Sequence, residues 1–199
     1  MFVVVDNHSC NVGSVVNILK RIGVEAKATD QPDLVSQASR IILPGVGAFD
    51  TAMTKLNQLG LKAPLNERVL DAKVPILGIC LGMQLLGTSS EEGKEDGLGW
   101  IPGEIKKFET DKKLPHMGWN FVNAVGEHKL LVGFERPPKF YFVHSYHFHC
   151  ESTHQVGKTE YGESFNSVVE HENIVGAQFH PEKSHKYGMK FLTNFMEHY

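Results

Sequence analysis

The chain has 199 residues, 41% hydrophobic and 22% charged, with a formal net charge of −3 at pH 7 and a pI near 6.4. That length and apolar content suit one domain with a full core, and the dispersed basic residues leave no electrostatic footprint for nucleic acid or an anionic membrane. The apolar run that opens the chain ends at Asp6 and carries no basic leader, so it is expected to be a core strand rather than a signal peptide or a span, in a cytoplasmic protein.

In chain order, a strand is predicted over residues 2–6, followed by an amphipathic helix over 12–22. Val15, Val16, Ile18, Leu19 and Ile22 form its apolar stripe and Gly23 ends it. Strands over 24–28, 40–43 and 75–79 alternate with helical segments near 51–56 and 62–71, the pattern of βαβ units on a parallel sheet. Residues 91–99 are charged and broken by glycine, which predicts a solvated loop without chemistry. Short strands follow at 104–108, 139–143, 158–161, 167–171 and 174–179, antiparallel ones among them. A last helix over 186–198, with Ser184 as its expected cap, is predicted to bury Met189, Phe191, Leu192, Phe195 and Met196.

The strongest chemical signal is Gly78-Ile79-Cys80-Leu81-Gly82, directly after the apolar run Val74-Pro75-Ile76-Leu77. A nucleophile raised on a strand-to-helix turn needs small residues two before and two after it, because neighbouring backbones crowd the turn. A helix over 81–86 would aim its N-terminal N–H groups at the sulfur and at any oxyanion beside it. The alternative is a buried cysteine acting as a small hydrophobe. In Phe179-His180-Pro181-Glu182 an extended backbone places His180 and Glu182 on one side, so the carboxylate can orient the imidazole and the imidazole can serve the thiol. The plain alternative there is a polar turn at a strand exit.

Leu43-Pro44-Gly45-Val46-Gly47 can turn backbone N–H groups toward a ligand. The Val46–Gly47 peptide and the Leu81 N–H are then the two candidate donors of an oxyanion hole. Gln84 lies one helical turn beyond Cys80, where its amide could recognise an amino acid. Cys10, Cys80 and Cys150 form no paired motif and are expected as reduced thiols. His147 and His149 share a strand face but lack further ligands, so no metal is expected.

Pro-Gly-x-Gly, Gly-Ile-Cys-Leu-Gly-Met-Gln and Gln-Phe-His-Pro-Glu, in this order, resemble the class I glutamine amidotransferases. The resemblance implies one type 1 glutamine amidotransferase domain over residues 1–199. Its fold would be α/β and flavodoxin-like, an open, mainly parallel sheet with flanking helices and some antiparallel strands in the C-terminal half. It also implies a Cys80–His180–Glu182 triad. Within that family, residues 2–6, Asn11, the loop 44–49, Pro115-His116-Met117-Gly118-Trp119-Asn120 and Tyr141-Phe142-Val143-His144-Ser145-Tyr146 are similar to the glutaminase subunits of imidazole glycerol phosphate synthases.

That likeness implies hydrolysis of glutamine through a cysteinyl thioester and transfer of ammonia to a separate barrel-shaped cyclase subunit, in a heterodimer serving histidine biosynthesis. Gly45, Gly47, Gln84, His144, Ser145 and Tyr146 would bind glutamine, Asn11, Trp119 and Asn120 would face the partner and the ammonia exit, and no cofactor is implied. One departure stands out: where the family carries a Tyr-Gly-Met-Gly-Asn-like loop, this chain has Asp6-Asn7-His8-Ser9-Cys10-Asn11. A paralogous subunit supplying ammonia to another synthase, for example in modified-sugar biosynthesis, therefore stands as an alternative. So do a free-standing cysteine hydrolase and a non-catalytic binding subunit.

Overall fold

The computed structural model describes residues 1–8 and 10–199, so Ser9 of the divergent loop lies outside the described residues. The elements in order are β1 (Phe2–Val5), α1 (Val12–Arg21), β2 (Lys27–Thr29), α2 (Pro32–Val35), β3 (Arg40–Gly45), α3 (Phe49–Gln58), α4 (Lys62–Asn66, widening to a π turn over Glu67–Asp71), β4 (Ile76–Cys80), α5 (Leu81–Gln84), β5 (Ser89–Ser90) and β6 (Gly103–Lys107). Then come β7 (His116–Phe121), β8 (Asn123–Ala124), β9 (Lys139–His144), β10 (Tyr146–Cys150), β11 (Gln155–Tyr161), β12 (Glu163–His171), β13 (Ile174–Ala177) and α6 (His185–His198).

Among the described residues the main sheet runs β2-β1-β3-β4-β13-β12-β10-β6-β5, with β11 and β8 attached to it through β12, while β7 and β9 form a separate two-stranded sheet. The pairs from β2 to β13 are parallel. From β13 onward they are antiparallel, except for β5 on β6. This is the mixed sheet expected, with the change of direction at β12.

Strand alternation sorts the core onto two faces. Val3, Val5, Ile41 and Leu43 point to the side covered by α3 and α4, where Phe49, Leu56, Leu65 and Val69 meet them. Val4, Ile42, Leu77 and Ile79 point to the side of α1 and α6, against Val15, Leu19, Phe191 and Phe195. Each such fully buried side chain contributes about 1.5–3 kcal/mol by leaving water. In α6, Phe191, Leu192 and Phe195 are buried as predicted, whereas Met189 and Met196 are only partly so.

Several predicted boundaries move for identifiable reasons. The second strand begins at Lys27 rather than residue 24, because the Val24 N–H closes α1 on the Leu19 carbonyl. The last parallel strand stops at Ala177, since the His180 N–H turns away to the Tyr141 carbonyl. Ser184 stands at the N-cap of α6 but does not cap it; its hydroxyl donates to the His180 carbonyl at 2.6 Å and accepts from the Tyr141 N–H at 3.0 Å. The strand β7 was not predicted, and Gly118 at φ +127° breaks its regularity.

Glycine is required at position 82 by contact rather than by φ: a Cβ there would lie 1.8 Å from the Leu43 carbonyl oxygen. Gly82→Ala is expected to destabilise the fold by about 1–3 kcal/mol and to lower the reactivity of Cys80, read by urea unfolding and by the rate of alkylation at that thiol.

Candidate active site

β4 lies between β3 and β13, with Gly45 beside Cys80 and Ala177 beside Ile79. The chain leaving β3 and the chain leaving β13 therefore emerge on either side of the cysteine, at the carboxyl ends of parallel strands where open α/β sheets hold ligands. Cys80 itself has φ +55° and ψ −111°, a strained conformation for a residue with a Cβ. The turn is tight enough that a Cβ on Gly78 would come within 2.6 Å of the Gly82 carbonyl oxygen. α5 is shorter than predicted, ending at Gln84, and continues only as the looser turns closed by Leu86 and Gly87.

The sulfur faces the Val143 carbonyl at 3.8 Å and receives the Gln178 amide N–H at 3.9 Å. His180, almost completely buried, holds Glu182 Oε1 at 2.7 Å through Nδ1. Its Nε2 is buried and makes no hydrogen bond among the described residues, while the ring is close enough to the Cys80 sulfur for the sulfur to favour its charged form. Burial disfavours charge on the imidazole, but the Cys80 sulfur and then the Glu182 carboxylate outweigh it and hold its pKa well above the ordinary value. An imidazole so placed can take the thiol proton and keep it, which is the arrangement cysteine nucleophiles use. The His180–Glu182 contact comes not from an extended strand, as expected, but from a 3₁₀ turn over Pro181–Lys183.

Cys80 opens onto a cavity of about 380 Å³ lined by Val46, Gly47, Leu81, Gln84, Glu92, Val143, His144, Ser145 and Tyr146. Gly47, at φ +98°, lets the loop after β3 turn across the mouth. Nearly all the residues expected around a substrate thus converge, with two corrections. Gly45 belongs to the wall behind the elbow, where a Cβ would press on Gly82 N and the Leu81 side chain at 3.1 Å. Glu92, in the loop expected to carry no chemistry, lines the cavity while one carboxylate oxygen accepts the Phe49 N–H at 2.9 Å. The helix start it caps lies 43 positions earlier in the chain, so no local pattern in the sequence marked it.

Gln178 was also missed. It is fully buried, accepts from Gln84 Nε2 at 3.1 Å and donates to the sulfur. Gln84 spends its other N–H on the Tyr146 carbonyl at 2.9 Å. With its nitrogen so committed, the Gln84 carbonyl oxygen is the atom left for a ligand.

A second cavity of about 130 Å³, lined by Cys10, Asn11, Ser14, Val46, His180, Glu182 and Lys183, lies behind the histidine. Asn11 also caps α1 through the Gly13 N–H at 3.1 Å. Trp119 is exposed on β7 between Met117 and Phe121, also exposed, but Asn120 is turned inward, bonded to the His116 ring and the Glu160 carbonyl. Two larger hollows, beside Gly133, contain no residue of the elbow. His147 is buried against Phe108 and His149 is exposed, and among the described residues no three His, Cys, Asp or Glu side chains converge as metal ligands.

A cysteine on a strained strand-to-helix turn beside a buried His–Glu pair is an arrangement suited to thiol chemistry on an α/β sheet, and the chain belongs to the class-I glutamine amidotransferases: the model of the family Glutamine amidotransferase class-I matches residues 3–199. It is 48% identical to imidazole glycerol phosphate synthase subunit HisH 2 of Methanococcus maripaludis and 47% identical to the subunit of the same name from Pseudomonas aeruginosa, over 99% of each chain in both cases. The subunit HisH of Methanocaldococcus jannaschii is 45% identical over 94% of this chain and 95% of its own. Among solved structures, a glutamine amidotransferase superposes with a TM-score of 0.79 at 17% identity, covering 99% of this chain and 98% of that one. A glutamine amidotransferase from Thermotoga maritima gives 0.65 at 19%, covering 98% and 83%.

Removing the carboxylate charge by Glu182→Gln is expected to move the His180 titration, followed by NMR of its ring, to lower pH, and to reduce glutaminase kcat by about 10²–10⁴-fold. Because the folded state raises this pKa above the ordinary 6.5, the pair's contribution to stability is complete below that pH and fades as pH rises through the elevated value. The stability gap between wild type and Glu182→Gln should accordingly be largest at neutral pH or below and narrow in alkali.

Proposed function

We propose that this chain is the glutaminase subunit of an imidazole glycerol phosphate synthase, with Cys80 as nucleophile, His180 as general base and acid, and Glu182 as the group that orients and charges His180. The observation that carries the reading is the strained Cys80 at the end of β4, within reach of a buried imidazole whose other nitrogen is held by Glu182 at 2.7 Å. The thiolate attacks the side-chain carboxamide carbon of glutamine. Negative charge then develops on the carboxamide oxygen, which the Leu81 N–H and the Val46–Gly47 peptide stabilise.

His180 returns its proton to the leaving amine, so ammonia departs and a glutamyl thioester remains on Cys80. The same imidazole then activates water to release glutamate. The cavity supplies recognition at the other end of the substrate: the Gln84 carbonyl oxygen and the Glu92 carboxylate receive the α-ammonium group, and the backbone of His144, Ser145 and Tyr146 forms the facing wall. Ammonia leaves by the small cavity bordered by Asn11 and Lys183.

The partner is a barrel-shaped cyclase subunit that takes up the ammonia in histidine biosynthesis, in the cytoplasm. Its docking face includes Met117, Trp119 and Phe121, exposed apolar side chains on one edge strand, a pattern a protein face leaves uncovered chiefly for a partner. Among the described residues no helix is long and apolar enough to cross a membrane. The divergent loop after β1 favours, as the second reading, delivery to a different synthase.

Cys80→Ala is expected to abolish glutamine-dependent product formation by the complex with the cyclase while leaving its ammonia-dependent activity intact. Loss of both activities, or of neither, would refute the assignment. A cyclase that neither binds the chain nor draws ammonia from it would leave the glutaminase in place and favour the second reading. Glu92→Gln is expected to raise KM for glutamine by about 10–100-fold, with a smaller change in kcat, in steady-state assays.

A further inference from the structure

A continuous hydrogen-bond chain connects β7 to the reactive sulfur. Asn120 Nδ2 approaches His116 Nε2 at 3.2 Å, His116 Nδ1 approaches His144 Nε2 at 3.0 Å, and His144 Nδ1 approaches the Tyr146 carbonyl at 2.8 Å. That carbonyl also accepts from Gln84, which passes its second N–H to Gln178, which donates to Cys80. The direction of every bond follows from the Asn120 end. Asn120 Nδ2 donates, so His116 Nε2 accepts and its proton sits on Nδ1; that N–H donates to His144 Nε2, which leaves the His144 proton on Nδ1, facing a carbonyl oxygen that only accepts. The remaining atoms of Asn120 agree, since Nδ2 also donates to the Glu160 carbonyl at 2.9 Å and Oδ1 accepts from Phe121 N–H at 2.8 Å.

Both rings are therefore neutral and carry the Nδ1–H tautomer. Protonating either would set donor against donor, and burial already pulls His116 down to about 4 and His144 to about 3. His116 is clamped between the rings of Phe142 and Tyr161, at centroid distances of 4.9 and 4.1 Å, so its orientation is held by stacking as well as by its bonds.

We propose that His116, which touches neither the cavity nor the sulfur, is a positioning residue for glutamine binding: through His144 it fixes the Tyr146 carbonyl, and that carbonyl sets the Gln84 amide with its oxygen toward the substrate. The proposal rests on the glutaminase reading and extends it to a residue outside the pocket. Without the His116 donor, His144 Nε2 is buried unpaired. The ring is then free to turn or change tautomer, and the Tyr146 carbonyl loses one of its two donors.

The test separates packing from hydrogen bonding with two variants, assayed in complex with the cyclase. His116→Phe keeps the stacked ring and removes the donor; His116→Asn gives up the stack but places an amide N–H near the position of Nδ1. The expected result is a KM for glutamine about 5–100-fold higher in His116→Phe, with kcat within about threefold of wild type, and a KM returning toward wild type in His116→Asn despite its lower melting temperature. Alkylation of Cys80 by iodoacetamide, which has no α-ammonium group for the Gln84 carbonyl oxygen to recognise, should proceed within about twofold of the wild-type rate in both.

A KM for glutamine in His116→Phe equal to wild type, or one that tracks melting temperature across the two variants, would overturn the proposal. Absence of glutamine turnover in the wild-type complex would instead overturn the glutaminase reading. Nitrogen-15 NMR of the wild-type protein at neutral pH gives a readout independent of either variant's folding: Nδ1–H tautomers at His116 and His144 are expected, and an Nε2–H tautomer or a doubly protonated ring at either would contradict the relay.

Discussion

Everything in this molecule that concerns chemistry depends on one close approach, the packing of Gly82 against the Leu43 carbonyl at the end of the neighbouring strand. That contact lets the chain reverse immediately after β4, and the reversal forces Cys80 into a backbone conformation a side chain rarely tolerates. Strain of this kind persists only where the surroundings over-determine it. Here they do: β4 is hydrogen-bonded on both sides and buried throughout.

The sheet order then assembles the rest without any long reach. Because β3 and β13 both flank β4 in parallel, the loop with Val46 and Gly47 and the segment with Gln178, His180 and Glu182 emerge beside the sulfur. His180 is fixed by its backbone as well as its side chain, through Tyr141 on β9 and the buried hydroxyl of Ser184. The two-stranded sheet β7–β9 thus serves twice, bracing the histidine from one strand and carrying His144, at the end of the same strand, to the cavity wall. Its other face presents Met117, Trp119 and Phe121 to solvent.

The turn at Cys80, the His180–Glu182 contact and the parallel half of the sheet were legible in the sequence because each depends on local rules: small residues around a tight turn, a carboxylate two residues from a histidine, apolar runs of strand length. The antiparallel half was less so. β7 alternates exposed apolar residues with inward polar ones, the reverse of a core strand, and Gly118 interrupts it. Glu92, Gln178 and Ser184 escaped for a different reason. Their roles are fixed by partners 43, 98 and 43 positions away, Phe49, Cys80 and Tyr141, and no local pattern encodes such contacts.

The most direct test of the central claim is to add glutamine to the complex with its cyclase, quench in acid, and search the three cysteine-containing peptides by mass spectrometry for a glutamyl thioester. The account predicts the adduct on Cys80 and nowhere else, accumulating when deacylation is slowed. An adduct on Cys10 or Cys150, or turnover of glutamine with no covalent intermediate on any cysteine even when deacylation is slowed, would contradict it.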